Sequence, residues 1–259
     1  MTDSILCARD GAVATVTINR PERRNAMDRE SWQRLGDVFN DLSSDTDLRC
    51  VVVAGTGGKA FGSGNDISEF ETLRTNAKKV RAYNDITIAA VHAIEGCLHP
   101  TVARIEGFCL GGGLEIALAC DIRVAAPGSA FGLPVKNMGI FLDPALADTL
   151  VNAIGRAAAL ELVLEGRFMD SDEALQRGLI TRIAADGRLD EEIASTVERI
   201  CTGAPLAHRF NKEAIRKVRI EGDESEEQFA RAASYGDTED YRNAWTSFMA
   251  KKKVDFKGR

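Results

Sequence analysis

Apolar and polar residues alternate along Val13-Ala14-Thr15-Val16-Thr17-Ile18, the period-two pattern of a strand, and β-branched side chains dominate it. Asn19-Arg20-Pro21 stops that run, and Asp28 is placed to cap a helix reaching to about Leu42. Residues 50–54 are apolar throughout, which predicts a strand covered on both faces. A glycine-rich loop spans 55–65, and the amphipathic stretch 77–95 reads as a helix. Pro100 introduces a strand over 101–105, Gly111-Gly112-Gly113 opens an apolar helix through Ala119, and 121–126 forms another strand. Strand, glycine loop and helix thus recur twice, at 50–95 and 101–120, which predicts a layered α/β core with right-handed crossovers. From Pro144 onward the pattern is mainly helical. Ser171 is placed to cap a helix ending at Gly178, and 179–183 reads as extended. Helices are expected near 189–202, 205–219, 224–235 and 238–252. No low-complexity linker interrupts the chain, so a core over 1–190 and a helical C-terminal subdomain over 191–259 are expected in one domain.

Composition narrows the function classes. The 259 residues are 44% hydrophobic and 28% charged, enough for a sizeable core and for solubility. A net charge of −6 argues against a nucleic-acid groove, which needs a positive field. No apolar run approaches the roughly 20 residues that cross a bilayer, and the N-terminus lacks the order of a secretory signal. Six scattered cysteines with no CxxC pair read as reduced thiols, which places the chain in the cytoplasm. His92, His99 and His208 have no metal-ligand spacing, so no metal site is expected.

The candidate chemistry lies in the glycine loops. Gly55-Thr56-Gly57-Gly58-Lys59 fails as a phosphate loop of the Walker type, because Val53 replaces the first glycine and Ala60 the Ser/Thr that holds magnesium. The dinucleotide spacing fails as well, since Gly62-x-Gly64 would need a glycine where Ile67 stands. A strand that turns sharply into a helix still leaves backbone N–H groups free at the helix start. Glycines let a ligand approach that backbone, and the helix dipole adds partial positive charge. Two such loops could hold one oxygen between two donors, as acyl-transfer and enolate chemistry requires. Tight helix–strand packing is the other explanation of the same glycines. Glu115, inside Leu114-Glu115-Ile116-Ala117-Leu118, is either an exposed first-turn acid balancing the dipole or a partly buried acid suited to proton transfer.

Four motifs in order then resemble the crotonase (enoyl-CoA hydratase/isomerase) superfamily over nearly the whole length. They are Asn19-Arg20-Pro21-Glu22-Arg23-Arg24-Asn25-Ala26-Met27; Lys59-Ala60-Phe61-Gly62-Ser63-Gly64-Asn65-Asp66-Ile67; the stretch from Arg104 to Glu115 with Ala119-Cys120-Asp121-Ile122-Arg123; and a C-terminal piece from Thr238-Glu239-Asp240 through Phe248 and Lys251 to Phe256-Lys257-Gly258-Arg259. The resemblance implies a spiral of repeated ββα units with a helical C-terminal subdomain, assembled as a homotrimer or hexamer. It implies an oxyanion hole from the N–H groups of Asn65 and Gly112, and a coenzyme A site lined by Arg24, Ala26, Ser63, Asp66 and Ile67. Phe248 and Lys251 would reach the adenine and 3′-phosphate, in this family often from a neighbouring subunit. Coenzyme A enters as part of an acyl-CoA substrate, and no separate cofactor is implied.

The chain departs from the family pattern at two places. Hydratases of the family commonly use two glutamates on one water; the first matches Glu115, and Val135 stands at the second. An apolar side chain transfers no proton, so the two-glutamate mechanism is not intact. Asp143, in Gly139-Ile140-Phe141-Leu142-Asp143-Pro144, falls where several relatives have a functional aspartate, yet Asp before Pro is also an ordinary helix cap. Three readings follow: proton transfer at an enoyl-CoA by Glu115 with or without Asp143, hydrolytic or dehalogenase-like chemistry using Asp143, or a coenzyme A-binding homologue without turnover. Phe70, Tyr83 and Phe141 point to a bulky apolar acyl pocket or to plain core.

Overall fold

The computed structural model describes residues 3–217 and 226–254. Two strands, β1 (Ile5–Asp10) and β2 (Val13–Ile18), form an antiparallel hairpin, and α1 (Arg29–Ser44) follows. Asp28 caps α1 as its sequence position predicts, accepting from the Ser31 N–H at 2.8 Å.

Three turns of one repeat come next. The first is β3 (Cys50–Gly55), β4 (Ala60–Gly62), the single-turn α2 (Phe70–Leu73) and α3 (Ala77–Gly96). The second is β5 (Thr101–Ile105), β6 (Phe108–Leu110) and α4 (Gly112–Ala119). The third is β7 (Ile122–Ala125), β8 (Ala130–Gly132) and α5 (Pro144–Glu165), which breaks at Gly155. The first strand of each turn joins a six-stranded sheet of order β1-β2-β3-β5-β7-β9, where β9 is Arg182–Ile183. The second strand of each joins a separate three-stranded sheet, β4-β6-β8. All pairings after the hairpin are parallel. This is the expected spiral of ββα units. What the hydrophobic pattern read as loop over 60–62 is therefore a strand, because three residues with a glycine among them show no alternation.

The main core lies between the sheet and α1, α3 and α4, with Trp32, Phe39 and Ile94 fully buried. A helix α6 (Ser171–Gln176) precedes β9, and its cap is Asp170, not Ser171: the Asp170 carboxylate accepts from Glu173 N–H at 2.8 Å. Ser171, one residue further on, turns inward and donates to the Ser129 carbonyl. The outer face of the sheet is covered by α7 (Leu189–Cys201) through Leu189 and Ile193, so residues 190 and 191 belong to one helix packed on the core. Then come α8 (Pro205–Lys217), α9 (Glu226–Ala233), a 3-10 turn Ser234–Asp237 and α10 (Glu239–Met249). The last three fold back on this same chain, packing against α2, α3 and the 3-10 turn Val135–Met138 through Phe70, Val80, Tyr235, Tyr241 and Trp245. The expected helix residues 218–219 and 224–225, and the motif Phe256-Lys257-Gly258-Arg259, lie outside the described residues.

Candidate active site

Two loops meet where β4 and β6 end. Met27 N–H donates to the Gly64 carbonyl and Asp66 N–H to the Met27 carbonyl, both at 2.8 Å, in a parallel bridge centred on Asn65. In such a bridge the flanking residues make the bonds, and the N–H of Asn65 itself faces away from Met27. On the other loop, the first bond within α4 runs from Glu115 N–H to the Gly111 carbonyl at 3.1 Å. The Gly112 N–H therefore has no acceptor inside the helix. The loops touch through backbone: a Cβ added at Gly64 would lie 3.3 Å from the Gly112 nitrogen.

Packing and chemistry turn out not to be competing explanations of the glycines. A Cβ at Gly113 would lie 2.2 Å from the Gly62 carbonyl oxygen, and one at Gly112 would lie 2.6 Å from Trp32 Cζ2. Glycine is thus required for the close approach, and that approach brings the backbone of the Asn65 loop against that of Gly112. Trp32 ties the arrangement together. Its ring lies against Gly112 while its Nε1 donates to Asn65 Oδ1 at 2.7 Å. One buried side chain on α1 thus contacts both loops.

A cavity of about 170 Å³ opens beside these loops. Ser63, Asn65 and Ile67 line it from the first loop, Gly112 and Glu115 from the second, and residues 133–146 close it with mainly apolar side chains, Val135 and Phe141 among them. Glu115 shows part of its surface to the cavity and is enclosed by protein elsewhere. That burial raises its pKa well above the ordinary carboxylate value; the negative fields of Asp143 and Glu95 push the same way, and Arg74 opposes them. Asp143 lines the same cavity and also caps α5, accepting from Leu146 N–H at 2.9 Å with Pro144 in the first helical position. Its pKa is raised by burial against the backbone N–H groups it accepts from. The cap and the cavity position hold together.

The structure gathers Asn65, Gly112, Glu115, Asp143, Ser63 and Ile67 around one cavity. Other expected site residues lie outside its lining. Arg24 adopts a left-handed backbone (φ 53°) with its guanidinium 5.8 Å from the Phe108 ring centre. The Ala26 carbonyl accepts from Arg20, and the Asp66 carboxylate is turned inward onto Arg20 and Ser68. Phe248 and Lys251 are exposed at the end of α10. Two residues carry no signal in the sequence: Trp32, behind the loops, whose partner Asn65 is 33 positions away, and Arg74, in the cavity lining, set in a polar stretch that reads as surface.

A family model described as enoyl-CoA hydratase/isomerase matches residues 8–259. The short-chain-enoyl-CoA hydratase of Clostridium acetobutylicum is 30% identical over 261 residues, covering 99% of each chain. The chain belongs to the enoyl-CoA hydratase/isomerase family. Solved structures agree with that membership. An enoyl-CoA hydratase/carnithine racemase from Magnetospirillum magneticum superposes with a TM-score of 0.83 at 39% identity, covering 100% of this chain and 97% of that one. A carnitinyl-CoA hydratase from Mycobacterium avium gives 0.84 at 28% identity, covering both chains fully. As an enoyl-CoA hydratase/isomerase the protein acts on acyl-CoA thioesters. Within this family fold, both glycine loops and Glu115 face one cavity.

Proposed function

We propose that Glu115 is the base that takes a proton from Cα of an enoyl-CoA and returns it at Cγ. The supporting observation is a half-buried carboxyl one helical turn from Gly112, in a cavity where Val135 stands at the second acid of the family pattern. Loss of the Cα proton moves its electron pair onto the thioester oxygen, and the N–H groups of Asn65 and Gly112 hold that oxygen. Collapse of the dienolate with protonation at Cγ shifts the double bond by one position. One carboxyl serves both steps, so Val135 is no obstacle. A raised pKa suits a group that must give the proton back. Losing one hole donor in such sites costs about 3 kcal/mol in the barrier.

A second reading, water addition or thioester hydrolysis, draws on the Asp143 carboxyl in the same cavity. Incubating 2-enoyl- and 3-enoyl-CoA isomers in deuterated water separates the two. Deuterium at Cα or Cγ without added water is expected, whereas release of free coenzyme A would sink the isomerase reading.

The family pattern further assigns the coenzyme A body to Arg24, Ala26, Ser63, Asp66 and Ile67, and its adenine end to Phe248 and Lys251. A homotrimer or hexamer is supported by α8, which exposes the large apolar side chains Leu206, Phe210 and Ile215 on the single chain. Free thiols at all six cysteines suit the cytoplasm.

A further inference from the structure

The cavity wall contains a cation that the proton-transfer chemistry does not use. Arg74 is 2% exposed and lines the cavity with Asn84 and Thr87. Its guanidinium stacks on three rings, 4.7 Å from the centre of Phe70, 5.0 Å from Tyr83 and 5.4 Å from Tyr235. Its Nη2 donates to Asn84 Oδ1 at 3.0 Å, but Nε and Nη1 have no hydrogen-bond partner among the described residues. No carboxylate among them lies within ion-pair distance of it; Glu115 and Asp143 reach it only through the field. Arginine keeps its charge when buried. A buried charge is ordinarily paired, and buried donors are ordinarily bonded. The rings supply part of the compensation through their faces, yet they accept no N–H bond in the plane of the guanidinium. In the same cluster the hydroxyls of Tyr235 and Tyr241 are also buried without partners among the described residues. A polar, negatively charged group is what this corner of an otherwise apolar cavity lacks.

We propose that the acyl group carries a second, free carboxylate at its far end and that Arg74 binds it, so that the substrates are mono-CoA thioesters of short dicarboxylic acids. This rests on the reading of the cavity as the acyl site of an enoyl-CoA enzyme. Thioester carbonyl and distal carboxylate then anchor the chain at both ends, holding the carbons between them against Glu115. Asn84, already bonded to Arg74, and the Thr87 hydroxyl complete a polar wall for the carboxylate oxygens.

The test uses equilibrium binding of unreactive saturated thioesters to the full-length protein: glutaryl-CoA, its terminal methyl ester and valeryl-CoA. Glutaryl-CoA is expected to bind at least about tenfold more tightly than either, the scale of one charge-assisted hydrogen bond. In Arg74→Met that preference should vanish while valeryl-CoA binding persists. Equal or weaker binding of glutaryl-CoA by the wild type overturns the proposal, as does a preference that survives Arg74→Met. If Arg74→Met does not fold, the wild-type comparison with both neutral thioesters decides, because valeryl-CoA keeps the five-carbon chain without the carboxylate and the ester keeps both oxygens without the charge. Turnover plays no part in these measurements. Failure of deuterium exchange would therefore overturn the Glu115 reading and leave the anchor standing, and loss of the anchor would leave the exchange untouched.

Discussion

The two walls of the cavity are built on opposite terms. On the glycine-loop side the polar groups are used within the protein. The Asn25 side chain accepts from Arg20 N–H and donates to the carbonyls of Thr56 and Ala60, Arg20 pairs with Asp28 and Asp66, and Trp32 bonds Asn65. On the C-terminal side, where α10 and the 3-10 turn before it cover α2, Arg74, Tyr235, Tyr241 and Trp245 each hold buried polar atoms without partners among the described residues. The first wall is a frame whose internal bonds fix one geometry for the two glycine loops. The second is a lining in which Arg74 faces the cavity and the unpartnered Tyr235, Tyr241 and Trp245 donors lie behind it. Under the proposed function, reaction type belongs to the frame and choice of acyl group to the lining.

The contrast can be broken at several strengths. Glu115→Gln carries the largest effect: turnover should fall about 10²–10⁴-fold with little change in acyl-CoA binding, the scale of a lost general base. Because the base must be ionised, wild-type kcat/KM should rise with pH through a value above the ordinary glutamate pKa of about 4.3. Stability runs the other way. A carboxyl whose folded pKa is raised opposes folding once pH exceeds its unfolded value, so Glu115→Gln should melt higher than wild type at neutral and alkaline pH and converge with it below about pH 4. A wild-type profile with its midpoint near 4 would remove Glu115 from the role.

Gly113→Ala comes next and attacks the frame directly. A Cβ 2.2 Å from a backbone oxygen cannot be relieved by a rotamer change, so a loss of about 3 kcal/mol is expected in denaturant unfolding. An unchanged midpoint would mean that the loops can part without cost. Asp143 sits between frame and lining. Asp143→Ala should lose about 1 kcal/mol of stability with the cap, while Asp143→Asn should lose only a few tenths. Asp143→Asn also removes a negative charge beside Glu115, so the pH–rate profile should move toward acid; a fixed profile would leave Asp143 a cap alone. The smallest effect belongs to the lining. Tyr235→Phe deletes an unpartnered hydroxyl and should change stability by no more than about 0.5 kcal/mol, in either direction. A large loss there would show that the lining is bonded as tightly as the frame.

Much of the frame was legible along the chain. Period-two and period-3.6 patterns, with Asp28 and Asp143 as caps, marked the long elements, and the motifs that resemble the family placed Asn65, Gly112 and Glu115 in one site. What escaped has physical causes. Strands β4, β6 and β8 are three residues each, too short to show alternation. β1 buries only Ile5 and so lacks an apolar face. Trp32 and Arg74 owe their roles to rings, carbonyls and amides distant in sequence. The rings around Arg74 come from residues 70, 83 and 235, a set that no local window contains.

Trp32 has one further consequence. The chain has two tryptophans, and the other, Trp245, is buried in the aromatic cluster that covers α2 and surrounds Arg74. One indole therefore stands against the glycine-loop backbone, and the second belongs to the aromatic cluster beside Arg74. Their emission can be separated by single Trp→Phe replacements, giving the protein a built-in optical probe on each side of the cavity. Events at the glycine loops and events at the Arg74 corner can then be timed separately, with no label attached.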